Sequence, residues 1–198
     1  MLKLNFNPFP TLETERIILR KISLKDAPAL FTIRANPDVM KYIAKPVAKE
    51  ISEVKSLINK ILYGIKSNNS ITWGIVMRNQ KNIIGTVSFH NIEKPHFRAE
   101  IGYHIHPNFW NKGILSEVLP SIIDYGFNKM NLYSIEAKID PENINSKKLL
   151  LKNNFIKEAY YKGNYFFNEQ FLDTEVYSLL KPNQISSSRK SDFRDLLS

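Results

Sequence analysis

Between Glu50 and Ile65, apolar side chains recur at Val54, Leu57, Ile58, Ile61, Leu62 and Ile65, the spacing of one face of an amphipathic helix. The same period returns after Gly113, at Ile114, Leu115, Val118, Leu119, Ile122, Ile123 and Phe127, and predicts a second, more apolar helix. Pro120 lies inside that stripe, where it removes a backbone hydrogen bond at a cost of roughly 3 kcal/mol unless the helix kinks or bulges. Elsewhere the period is two. Ala99, Ile101, Tyr103 and Ile105 fall on one face of a predicted strand, with Glu100, Gly102 and His104 on the other. Thr72 to Met77 and Ile83 to Phe89 flank the polar run Arg78-Asn-Gln-Lys-Asn82 and predict a hairpin.

Weaker signals fill the gaps. Glu15 to Lys21 predicts a first strand, and Ser23 and Asp26 start a helix that continues through Ala27, Leu30, Phe31 and Arg34. Asn36-Pro37 ends it and opens a short second helix through Tyr42. Leu132 to Ile139 is a further strand. Asn143 caps a helix over 144–153, and Asn154, tolerant of left-handed backbone, ends it before a strand over 155–161. Glu175 to Leu180 is the last strand. The order is one strand, two or three helices, three antiparallel strands, then helix, strand, helix and two strands. It predicts an α+β fold, a largely antiparallel mixed sheet with helices on both faces. Residues 1–10 are expected to be an N-terminal extension, 11–181 a single domain, and 182–198 a polar, frayed tail.

Composition narrows the chemistry. With 198 residues, 43% of them hydrophobic, the chain suffices for one compact core. It has no cysteine, which excludes disulfides, thiolate metal sites and a cysteine nucleophile. No apolar run is long enough for a membrane helix, and Asn and Pro interrupt the first ten residues where a secretory leader would be apolar, so a cytoplasmic protein is expected. The net charge of +9 suits either a soluble basic surface or a polyanionic partner: a phosphate-rich cofactor, ribosomal RNA or an acidic substrate.

The strand-to-helix junction Tyr103-His-Ile-His-Pro-Asn-Phe-Trp-Asn-Lys-Gly-Ile-Leu-Ser-Glu117 is the strongest chemical signal. A turn feeding a helix N-terminus offers unpaired N–H groups at the positive end of the helix dipole, which suits a phosphate such as the pyrophosphate of coenzyme A. Lys112 adds charge beside Gly113; a plain helix start is the competing reading. His104 and His106 share a strand face without cysteine or acidic partners spaced to complete a metal site, so no metal is expected.

In order and spacing, several segments resemble the GNAT superfamily of acyl-CoA N-acyltransferases, in particular its RimJ/RimL-type branch. They are Leu12-Glu-Thr-Glu-Arg-Ile-Ile-Leu-Arg20, Asp26-Ala27, Ile84-Gly-Thr86, Ala99-Glu-Ile-Gly-Tyr103, Phe109-Trp-Asn-Lys-Gly113, Ser116-Glu117, Asn143-Ile-Asn-Ser146, Asn154-Phe155, and Asp173 before Tyr177. The loop departs from the usual pattern in carrying Asn111 where the branch often has glycine and Leu115 where glycine or alanine is usual, and Leu115 is expected to crowd the pyrophosphate.

The resemblance implies direct acetyl transfer from acetyl-CoA to an amine. It places the pantetheine against the strand edge at Tyr103, His104 and Ile105. The phosphates fall to the loop formed by Trp110, Asn111, Lys112, Gly113, Ile114, Leu115 and Ser116. Asn143 would contact the pantetheine arm, and Ser146 would donate a hydrogen bond to the departing thiolate; ordinary helix capping is the alternative for both. Glu100 is the candidate general base, with a purely structural glutamate as the alternative. Tyr103 is a packing residue first and a proton relay second. The acceptor implied is a protein N-terminus, ribosomal proteins included, or a small amine such as a polyamine or aminoglycoside. The protein is expected to be a monomer or homodimer, with ribosome association as a further expectation. The competing function is a GNAT-like module that has lost its chemistry and binds RNA through Lys/Arg and the aromatics of 160–165.

Overall fold

The computed structural model describes residues 1–182. The expected tail therefore lies, apart from Pro182, outside the described residues. Strands β1 (Leu12–Glu13) and β2 (Ile17–Lys21) lead into α1 (Ala27–Arg34), α2 (Pro37–Met40) and α3 (Ile51–Lys66). Then come β3 (Ile71–Met77), β4 (Ile83–Glu93), β5 (Arg98–Ile105), α4 (Ile114–Asp124), β6 (Ser134–Ile139), α5 (Ile144–Lys152), β7 (Ile156–Phe167) and β8 (Gln170–Leu180). The strands form one eight-stranded sheet in the order β1-β2-β3-β4-β5-β6-β8-β7.

Every pairing is antiparallel except β5 with β6, and that exception shapes the site. The parallel register covers only Arg98, Ala99 and Glu100 of β5, against Ser134, Ile135 and Glu136 of β6. Beyond Glu100 the two strands part. β5 stays paired to β4 through Ile105, while β6 stays paired to β8 through Ile139. The sheet is thus split down its middle, with one edge of β5 open from Ile101 to Ile105.

Alternation sets the two faces. Trp73, Ile75, Val87, Phe89 and Ile101 join Val118, Leu119 and Ile122 of α4 in one buried cluster. Val76 and Ile83, on the other side of the pleat, join Leu30 of α1 and Val54 and Ile58 of α3 in a second. The helix over 114–124 runs through Pro120 without a break. Pro120 is exposed, so its missing bond lies on the solvent side, and the helix widens only afterwards into one π turn, Tyr125–Lys129.

Residues 1–10 pack on the domain. Leu2 and Phe6 are buried, Trp73 Nε1 donates to the Pro10 carbonyl at 2.7 Å, and Phe9 meets the Trp73 ring edge-on. The last hairpin is longer than the alternation indicated: β7 reaches Phe167 and β8 begins at Gln170, around a turn in which Asn168 and Glu169 both have positive φ. Among the described residues, no helix is long and apolar enough to cross a membrane.

Candidate active site

The open edge of β5 forms one wall of a cleft of about 370 Å³. Tyr103, His104 and Ile105 line it from the strand; Trp110, Asn111, Gly113, Ile114, Leu115 and Ser116 from the loop and the first turn of α4; and Asn143 and Ser146 from the start of α5. Asp38, Val39, Tyr42 and Ile43 close it from α2 and the segment that follows. The structure thus gathers eleven of the thirteen sequence-predicted site residues in one place. Glu100 and Lys112 are not part of its lining.

The loop is held in shape by backbone and by charge. Gly113 has φ +71°, and a Cβ there would meet only Arg16 Nη2, at 3.7 Å. Its carbonyl accepts from Glu117 N at 3.1 Å, so the N–H groups of Ile114, Leu115 and Ser116 precede the first α-helical bond. Asn111 has φ +58°, a left-handed conformation that asparagine tolerates. Trp110 Nε1 donates to the Ile105 carbonyl at 2.9 Å and pins the loop to the end of β5. Lys112 stands over the Phe109 ring, its ammonium 5.7 Å from the centroid. Leu115 lines the cleft while also packing against the core cluster, so part of its side chain is turned away from the opening.

Glu117 puts a carboxylate in the first turn, beside the uncapped N–H groups of the helix start. Arg16 neutralises it: its Nε donates to Glu117 Oε2 at 2.6 Å, its backbone N–H to Oε1 at 2.8 Å, and its Nη1 to the Lys112 carbonyl at 3.2 Å. Thr14 Oγ1 adds a bond of 2.5 Å to Oε1. Burial works against the Glu117 charge, but the Thr14 and Arg16 donors prevail and hold its carboxyl below the usual range.

At the other side of the opening, Asn143 Oδ1 accepts from Ser146 N at 3.0 Å and caps α5. That bond turns Ser146 Oγ toward β5, where it lies 2.7 Å from Tyr103 Oη. Burial pushes the Tyr103 phenol up to about 12 despite the Ser146 bond, so the ring carries its proton at neutral pH. Lys147, next in the chain, and Lys157 of β7 both reach the buried carboxylate of Glu175, at 3.1 and 2.5 Å, which fixes α5 against β7 and β8.

Glu100 and His104 alternate on the face of β5 away from Tyr103. His104 is half-buried; desolvation first and then the nearby Arg34 charge lower it to about 4, so it is neutral, with Nε2 3.2 Å from Thr86 Oγ1. Glu100 is heavily engaged: its carboxylate lies 3.3 Å from His90 Nε2, 3.0 Å from Asn91 Nδ2 and 3.5 Å from Lys138 Nζ. Burial pushes its carboxyl up, but the His90 and Asn91 hydrogen bonds and the nearby charges outweigh burial and hold it at about 2. Over the far end, the aromatic hairpin reaches across. Tyr165 Oη donates to the Ala44 carbonyl at 3.3 Å, bridging β7 to the segment after α2, while Tyr160, Tyr161 and Phe166 remain exposed.

A split sheet, an open strand edge and an uncapped helix start belong together in one known architecture, and sequence comparison identifies it. The acetyltransferase (GNAT) domain model matches residues 16–156. The chain belongs to the GNAT acetyltransferase family. YoaA of Bacillus subtilis, an uncharacterised N-acetyltransferase, is 39% identical over 89% of this chain and 99% of its own. The ribosomal protein uS5-alanine N-acetyltransferase of Escherichia coli is 27% identical over 89% and 93%, in keeping with a RimJ/RimL-like member of the family. The spermidine N(1)-acetyltransferase of Vibrio cholerae is 24% identical over 87% and 98%. Among solved structures, the ribosomal L7/L12 α-N-protein acetyltransferase RimL in complex with coenzyme A superposes with a TM-score of 0.79 at 19% identity, over 86% of this chain and 98% of that one.

In this GNAT chain the residues present fit an acyl-CoA. The cleft pairs unbonded strand edge with a cradle of loop N–H groups, which suits an extended amide arm ending in phosphates. Lys148 and Lys152 add two cations to its lining. These two, with Asn145 and Leu149, were not anticipated, although positions 145, 148, 149 and 152 form one helical face of α5. The Arg16 clamp was also missed: it joins residues about a hundred positions apart, a contact that no local pattern encodes.

Proposed function

We propose that this GNAT protein transfers the acetyl group of acetyl-CoA to the N-terminal amine of a polypeptide. The observation that carries the proposal is the Tyr103–Ser146 hydroxyl pair beside the open β5 edge, in a cleft whose lining, among the described residues, includes only one carboxylate, Asp38, against Lys148 and Lys152. A polycationic acceptor needs acids to hold its several charges; a peptide N-terminus brings one charge and backbone groups that suit a cleft wall. Asp173, an acid the acceptor region could have offered, is committed to the Tyr160 hydroxyl and the Gly163 N–H.

Bound acetyl-CoA supplies an activated acyl carbon and a thiol leaving group. The chain's own residues do the rest. The N–H groups from Asn111 to Ser116 bind the phosphates, and the β5 edge aligns the pantetheine. Ser146, itself hydrogen-bonded to a protonated Tyr103, offers a proton where sulfur departs. A ribosomal protein emerging in the cytoplasm is one such acceptor, and the net charge of +9 favours approach to a ribosome. CoA release with an alanine-starting peptide and with spermidine separates the acceptor classes. The peptide is expected to give a kcat/KM at least about tenfold higher. The reverse preference overturns the peptide assignment and leaves a small-amine acetyltransferase.

A further inference from the structure

Resting on the acetyl-transfer reading, we propose that His90 is the proton acceptor for the attacking amine and that Glu100 positions it. His90 on β4 stands directly across from Glu100 on β5. Its Nε2 lies 3.3 Å from Glu100 Oε1 and its Nδ1 3.5 Å from Ser88 Oγ. The imidazole lies over Gly102: a Cβ at that position would come within 2.9 Å of His90 Cε1, so the missing side chain makes room for the ring. Gly102 belongs to the stretch of β5 that has left β6. The imidazole therefore stands over the unpaired stretch of β5, on the face away from Tyr103 and outside the cleft lining described above, and its side chain is 38% exposed. The hydroxyl pair for the leaving group and the imidazole thus lie on opposite faces of β5.

The division of labour follows from the bonds Glu100 already makes. A carboxylate holding Asn91, Lys138 and His90 has little tendency to take up another proton. It is well suited to fix an imidazole with Nε2–H toward it, which leaves Nδ1, beside Ser88 and over the side-chain-free Gly102, as the nitrogen that carries the lone pair. Ser88 Oγ has the Gly102 carbonyl at 3.4 Å as an alternative acceptor to Nδ1 at 3.5 Å, so its hydrogen need not occupy that lone pair. The ionisable groups around His90 are Glu100, then Lys138 and Glu136 on β6, with Arg98 and Glu93 continuing the same chain of ion pairs. His104, beside Arg34, stands further along this face of β5. The proton balance closes. The acceptor ammonium gives one proton to Nδ1, and the neutral amine then forms its C–N bond as the C–S bond breaks. The nitrogen's second proton then passes to solvent, while the leaving thiolate takes one from Ser146, which is replenished through Tyr103 and solvent. His90 returns the first to solvent.

The test combines the resting protein with turnover. In the wild type, nitrogen NMR of the histidine rings is expected to find neutral His90 protonated on Nε2; a ring protonated on Nδ1 overturns the proposal. With the alanine-starting peptide, His90→Gln is expected to lower kcat about 100-fold and to remove the ascending limb of the pH–rate profile. Its affinity for acetyl-CoA by calorimetry should stay within about twofold, which also shows that the variant folds. Glu100→Gln should lower kcat less and displace that limb without removing it. If His90→Gln keeps both rate and limb while Glu100→Gln loses them, Glu100 is the base and the proposal falls. A wild type that binds acetyl-CoA but acetylates neither peptide nor spermidine refutes the parent reading instead, and the ring tautomer still decides the His90 assignment.

Discussion

The two helices that flank the split sheet begin in opposite ways. α4 starts on Gly113 with φ +71° and no side-chain cap, and the residues of its first turn line the cleft. α5 starts on Asn143, whose side chain takes the Ser146 N–H for itself. An uncapped start leaves backbone donors for an anion; a capped start satisfies its own donor and presents a side chain instead. In the proposed function one helix start would bind and the other would place the Ser146 hydroxyl, and both line the same cleft.

The largest effect is expected from putting charge into the uncapped start. Gly113→Glu should abolish measurable acetyl-CoA binding in calorimetry, a loss of at least about 100-fold, because a carboxylate then competes for the donors that hold the phosphates. Gly113→Asn sharpens the test, since asparagine accepts the same left-handed backbone without charge and should keep affinity within several-fold. Equal losses in the two variants would mean that backbone conformation, and not an anion seat, is what Gly113 provides.

The capped start should respond in turnover. Ser146→Ala leaves the Asn143 cap intact, since that bond uses the Ser146 backbone, and removes only the hydroxyl 2.7 Å from Tyr103. A fall of about 10- to 100-fold in kcat with donor affinity nearly unchanged is expected. A parallel loss of binding and turnover would make Ser146 a binding residue.

The same contrast explains how far the sequence could be read. Core helices and strands are legible because burial enforces periods of 3.6 and 2, as at Val54, Ile58 and Ile65 on α3 or Ala99, Ile101 and Ile105 on β5. β7 lies at the sheet edge with most of its residues exposed, so no alternation marks its extension to Phe167. Its bulge at Gly163 and its turn at Asn168 and Glu169 depend on positive φ values that leave a weak imprint on the chain. Asparagine performs glycine's task repeatedly here, at Asn68, Asn91, Asn111, Asn131 and Asn154 as well as Asn168, which blurs the usual glycine punctuation. Within the site, the loop 110–116 and the pair Asn143 and Ser146 are local in sequence and could be picked out. The Arg16–Glu117 clamp and the Tyr103–Ser146 bond join residues distant along the chain, which only helix-on-sheet packing brings together, and the His90–Glu100 pair depends on the register of β4 against β5.

The smallest expected effect isolates the cap itself. Asn143→Ala leaves Ser146 N without its acceptor and should destabilise the protein by about 1 kcal/mol, the usual cost of losing an N-cap. For a chain of this size that is a fall of roughly 2–4 °C in Tm by calorimetric scan. Asn143→Asp, whose side chain accepts the same bond, should recover most of it. Because the cap also sets where Ser146 points, the alanine variant should lose a few-fold in kcat while keeping its donor affinity; α5 remains anchored through Lys147 to Glu175. If stability falls and kcat does not, the Lys147 anchor alone positions the hydroxyl. If donor affinity collapses instead, Asn143 binds the pantetheine directly, and the division between a binding helix start and a side-chain-placing one fails at this residue.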